Sequence, residues 1–379
     1  TEWAFDTSTI PGYVAICYNA TSGNAINNNV DNSTNARLFA HGAGNGASFW
    51  SIASDADNRL EDGETGMLTY TFYYRGISVG KKEFSLEKGQ SYPSFAEYVP
   101  NGYVALSGDI PEGSITLKSH AVEIPVERVP ETGRYYHFYN SVIGKYISAD
   151  AALPQTYSTK DAGPYTLFYY DKNGLLSYGR GQYLQGADLA DIGETGAEIT
   201  ILPSRTGVMD MYNIISDNTD YIRIHTADTL ANVTGNSVSA GKAKAYDFRS
   251  VYVISLPVRL DENGWGTFSS ALPVTIPHDC VAYVVEGYEP ATASVSLRSI
   301  MPGTVVAANT GILLHGTPSV TIEMKISEKG LAYSGNLLRP AVAAMHAGED
   351  ARAYILVSNN GVLSFSQING TDRFVPSHS

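Results

Sequence analysis

The residues of this chain with binding chemistry are aromatic rings set beside acids and amides. Tyr178, Gln182, Gln185 and Asp188 lie close together, one ring with three hydrogen-bonding groups. A ring stacks on the apolar face of a sugar while amides and carboxylates meet its hydroxyls. Further along, Arg223 and His225 would suit an acidic sugar. Asp150, Asp188 and Asp228 recur at spacings of 38 and 40 residues, each after a strand-like run. These eight residues are the candidate carbohydrate-binding set. A recurrent Asp also caps turns by bonding its own backbone, so each has a purely structural alternative.

Catalytic chemistry finds less support. The chain contains no His-Glu-x-x-His helix motif, and its eight histidines are scattered singly. Residues 235–242 approach a phosphate loop, with one residue too many and Ala243 where Ser or Thr belongs. The Gly-rich run 42–46 fails the dinucleotide spacing. The acidic run Asp55, Asp57, Glu61, Asp62 and Glu64 places Arg59 and Leu60 where a calcium loop needs ligand and Gly, so it reads as a solvated linker. A second acidic group, Asp188, Asp191, Glu194 and Glu198, meets no ligand spacing. No catalytic residue, cofactor or metal site is expected.

Strands must position such a set. Tyr stands at 26 and Gly at 36 of 379 residues, and charged residues are 17%. Strand-like runs recur every 8–12 residues between Gly, Asn, Asp and Pro, the signature of sandwiches and barrels. A single short helix is conceivable over 337–345, interrupted by Pro340.

An internal repeat spans about 133–255. Its units carry Gly144-Lys145-Tyr146-Ile147-Ser148, Gly181-Gln182-Tyr183-Leu184-Gln185 and Tyr221-Ile222-Arg223. The first opens with Tyr136-His137-Phe138-Tyr139-Asn140, the third with Tyr212-Asn213. Closing strands follow at 165–170, 199–202 and 246–254. Units this small cannot bury a face alone and must share one core. The pattern resembles a β-trefoil of the ricin-B-like group, a module of secreted multidomain proteins of gut anaerobic bacteria. The resemblance implies a glycan partner, with up to three shallow pockets. The group's Gln-x-Trp signature is absent, and its sugar-contacting Asp position holds Ser148, Gln185 and Arg223.

Three further blocks flank the repeat. Residues 1–66 resemble one more unit of the same kind or a small β-domain, and read as the last part of an upstream domain. Residues 67–130 resemble an immunoglobulin-like or β-grasp-like spacer, with Gly80 expected at its hairpin turn. Residues 257–379 resemble the C-terminal β-sandwich-like domain of the same bacterial proteins. Hinges are expected at 130–133 and 256–263, where Pro, Gly and charge combine. The expected architecture is all-β and multidomain, with a central β-trefoil over 131–256 flanked by β-sandwich and immunoglobulin-like modules.

The net charge of −13 disfavours nucleic acid. No apolar run reaches the roughly 20 residues of a membrane span. Cys17 and Cys280 fall in different blocks and are expected to remain unbonded. The combined reading is a noncatalytic carbohydrate-binding or adhesion region, monomeric, secreted or on the cell surface, with a glycan or glycoprotein partner. The alternative is an accessory or spacer region of a larger glycan-degrading enzyme or peptidase.

Overall fold

The computed structural model describes residues 58–105, 113–150, 157–191, 194–224, 230–234, 245–289, 291–292, 294–346, 354–359, 362–368, 374–375 and 377, and the backbone of five earlier strands. Every regular element among them is a strand or a single 3-10 turn, as at Ala96–Tyr98 and Pro164–Thr166. The chain is all-β and built from several sheets. The helix conceived over 337–345 does not form. Instead Met345–His346 pairs with Phe374–Val375, and Pro340 stands in irregular chain.

The chain divides into two compact units. The first comprises 1–71, 81–95 and 109–123, the second 72–80, 96–108 and 124–379. In the first, Val14–Tyr18 pairs with Trp3–Asp6, Asn24–Asn29 and Phe49–Trp50. The strand Thr65–Tyr74 alternates inward and outward, and Leu68 and Tyr70 are fully buried. Tyr70 meets Phe84 and Phe95 edge-on and donates its hydroxyl to the Pro93 carbonyl at 2.7 Å. The hairpin with Ile77–Glu87 turns at Arg75 and Gly76, both with positive φ. That is the geometry of a tight two-residue connection. Gly80 therefore lies within a strand rather than at the turn. A Cβ there would come within 2.5 Å of Pro100.

In the second unit the repeat forms three sets of four strands. The first set is Arg134–Asn140, Lys145–Ser148, Tyr157–Thr159 and Leu167–Asp171. The second is Gly174–Ser177, Leu184–Gln185, Asp188–Leu189 and Ile199–Pro203. The third is Tyr212–Ser216, Asp220–Ile224, Leu230–Thr234 and Arg249–Tyr252. In each set the two middle strands form a hairpin. The outer strands link one set to the next, and the last pairs back onto the first, Tyr139 opposite Arg249. Ile147, Leu184 and Ile222 hold the same place in the three hairpins, and all are fully buried. With Phe138, Phe168, Phe248 and Ile214 they form one core. Each such side chain contributes about 1.5–3 kcal/mol on burial.

Residues 255–326 form two four-stranded antiparallel sheets. One orders Ser255–Arg259, Thr321–Ile326, Val274–Thr275 and Val305–Val306. The other orders Trp265–Phe268, Ile312–Gly316, Cys280–Glu289 and Ser294–Ile300. Their core includes Tyr135, Leu167 and Tyr178 from the repeat. The stretch expected as a hinge over 256–263 begins as a strand, with Leu256, Val258 and Leu260 buried. The hinge expected at 130–133 is stitched by Asn101. Its side chain accepts from Thr132 N at 2.9 Å and Oγ1 at 3.0 Å and donates to the Thr132 carbonyl. Cys280 is a buried free thiol, pushed up to about 11 by burial. The side chain of Cys17 lies outside the described residues.

Candidate functional site

Six of the eight sequence candidates lie among the described residues. Tyr178, chosen as a stacking face, is buried, with its hydroxyl donated to the Pro257 carbonyl at 2.7 Å. Tyr135 meets it edge-on at 6.1 Å, and burial drives its ionisation far up. Gln182 is also occupied. It donates to the Ala190 carbonyl at 2.9 Å and accepts from Arg180 at 3.2 Å. The adjoining turn is covered by the C-terminal residues, since Ala344 N donates to the Gly181 carbonyl at 2.8 Å. A Cβ on Gly181 would fall 2.3 Å from Ser377. No open ring face remains at Tyr178.

Gln185 and Asp188 are exposed and face one another across a two-residue turn through Gly186. Asp150 is exposed beyond the end of its strand. Of the three Asp positions expected to be equivalent, Asp150 follows the first strand of its hairpin and Asp188 begins the second strand of its own. Counted from the matching core residues Ile147, Leu184 and Ile222, they follow after three, four and six residues. Asp228 and His225 lie outside the described residues. Arg223 lies on the outer face of its hairpin, opposite Ala231, and its buried Nε has no hydrogen-bond partner among the described residues.

The equivalent tyrosines Tyr146, Tyr183 and Tyr221 show why one set differs from the others. Tyr183 donates its hydroxyl to Asp171 Oδ2 at 2.9 Å, and its ionisation is pushed up to about 12, chiefly by burial. Tyr221 is buried against Ile215 and Tyr246, with the Arg205 guanidinium 4.8 Å above its ring. Tyr146 is partly exposed. Its ring lies 4.7 Å from that of Tyr139, also partly exposed, and His137 meets it edge-on at 5.7 Å.

Strand register builds this platform. Arg249, Tyr139, Tyr146 and Thr159 form one row across four strands. Side chains directly opposite in antiparallel pairs lie on the same face. Next to them, His137 stands opposite Val251. His137 Nδ1 lies 2.9 Å from the Thr166 carbonyl and 2.8 Å from its hydroxyl. Burial lowers its pKa, so the ring is neutral at pH 7. In the third set Asn213 plays the same part, donating to the Tyr246 carbonyl at 3.1 Å. Gly144 has positive φ, and a Cβ there would come only to 3.9 Å of the Tyr139 hydroxyl. Asn140, which ends the opening strand, is buried and accepts from Val142 N and Ile143 N, so it caps the turn.

Tyr146 was visible in the sequence only as a repeat residue, and Tyr139 also as a ring beside the amide of Asn140. Arg249 had no sequence signal, because only the register of the first strand against the last places it there.

Asp62 pairs with Lys88 at 2.9 Å, and that contact lowers its pKa. Glu64 accepts from Glu61 N, while Asp55 and Asp57 lie outside the described residues. Among the described residues no cluster of His, Cys, Asp or Glu could hold a metal, and no helix is long and apolar enough to cross a membrane. No protein-family model and no curated protein matches the chain.

Proposed function

We propose that the chain is a noncatalytic carbohydrate-binding or adhesion region of a secreted or surface protein, with a ricin-B-like β-trefoil at its centre. The trefoil reading is supported by the three four-strand sets, their hairpins and the return of the last strand to the first. The observation that carries the binding reading is the partly exposed pair Tyr139 and Tyr146, 4.7 Å apart on one sheet face. Two adjacent aromatic faces with hydroxyls suit a sugar ring and its substituents. The glycan site thus moves from the second set, where the sequence put it, to the first.

The test is a glycan array on the folded chain, followed by calorimetric titration with Tyr139→Ala and Tyr146→Ala. Loss of binding in both, with melting little changed, is the expected result. A folded chain that binds no glycan, or binds equally well without these rings, ends the reading. The accessory-region alternative is favoured by one feature, the core that the repeat shares with the following sandwich. Such a joint suits a module that holds its neighbours at fixed orientation.

A further inference from the structure

We propose that the ligand of the Tyr139–Tyr146 platform is an acidic glycan, its ring over the tyrosines and its carboxylate or sulfate on Arg249. The inference rests on the glycan reading and specifies its ligand. Arg249 is exposed and directly opposite Tyr139, at the end of the row Arg249, Tyr139, Tyr146, Thr159. Among the described residues no hydrogen bond or ion pair engages its guanidinium. Nothing in that row, nor in the neighbouring pair His137 and Val251, carries negative charge.

This is unusual placement in a chain with 38 acidic residues against 25 basic ones. Such a chain repels anions at long range, so an acidic ligand needs a local cation. The arginine fork grips a carboxylate or sulfate through two parallel hydrogen bonds, which a neutral ring does not require. His137 supplies no second charge, because its Nδ1 is held by Thr166 and the ring is half-buried. Its part is to fix Tyr146 edge-on. The ligand is therefore singly anchored by charge and stacked by two rings.

The experiment titrates the folded chain with tetragalacturonate, its methyl ester, a sulfated galactan oligosaccharide and the desulfated form. Preference for tetragalacturonate assigns a uronate, and preference for the sulfated oligosaccharide assigns a sulfate ester. In either case neutralising the ligand should weaken binding about tenfold or more. Arg249→Gln should cause the same loss and Arg249→Lys a smaller one, and binding should weaken with added salt. Equal binding of charged and neutral forms, unaffected by Arg249→Gln but lost in Tyr146→Ala, overturns the acidic ligand and leaves the glycan reading standing. No binding of any of the four, with native melting, overturns the acidic ligand directly. If the wider array is also blank, the glycan reading falls with it.

Discussion

Replacing Tyr178 by Phe separates a structural ring from a ligand-binding one. The substitution keeps the ring, which packs in the core shared by the repeat and the sandwich. It removes only the hydroxyl that reaches the Pro257 carbonyl at 2.7 Å. A buried hydrogen bond of this kind contributes about 0.5–1.5 kcal/mol, and more where the acceptor is left unsatisfied. A loss of about 1–2 kcal/mol is expected. For a body of this size each kcal/mol moves melting by about 2–4 °C, so Tm should fall by about 2–8 °C. Differential scanning calorimetry reads the shift. Because the ring bridges the repeat and the sandwich, one transition covering both should move. Glycan affinity of the folded variant should stay at the wild-type value. An unchanged Tm together with weakened sugar binding would show that Tyr178 faces solvent and refute the shared core.

Three further outcomes follow from the same geometry. Burial holds the folded-state pKa of His137 below its unfolded value of about 6.5. The unfolded chain then binds more protons, so stability should fall as pH drops below about 6.5 and level off below the folded pKa. His137→Asn, which copies Asn213, should flatten that dependence in urea unfolding between pH 7 and 5. Gly174 has φ of 115° and a Cβ there would fall 2.8 Å from the Ala197 carbonyl, so Gly174→Ala should destabilise by about 1–3 kcal/mol in denaturant titration. Limited proteolysis should spare residues 255–260, since Leu256, Val258 and Leu260 are buried; early cleavage there would argue against the joint.

Much of the fold was legible because side-chain alternation is a local property. Leu68 and Tyr70, two apart, point inward as their spacing requires. The Tyr-Ile, Tyr-Leu and Tyr-Ile pairs marked the three hairpins, because the apolar member must enter a common core. The opening strand of the second set escaped notice. Gly174–Ser177 is buried on both faces and so shows no alternation. Gly80 misled because a glycine between two strand runs reads as a turn, whereas Arg75 and Gly76 take the positive φ values. The candidate site failed at Tyr178 because its cover comes from Pro257, 79 positions away. Asp150 and Asp188 differ because one follows the first strand of its hairpin while the other begins the second, a distinction that spacing alone does not carry. Arg249 was invisible for a related reason: its neighbour Tyr139 is 110 positions earlier in the chain.

The closure of the repeat also sets how it would respond to force. The chain enters at Arg134 and leaves at Tyr252, and these strands are antiparallel neighbours, with Tyr136 opposite Tyr252. Tension between the two ends would therefore peel the ladder open from that end, one hydrogen-bonded pair after another, rather than load all pairs in shear. A ribbon pulled this way yields at low force. Two features resist the first step: Tyr252 packs edge-on against Tyr136 with Arg134 over its ring, and Tyr135 and Val253 are held in the core shared with the sandwich. The joint with the sandwich thus acts as a mechanical clasp. A tethered chain would keep its platform folded under load only while that clasp stays shut.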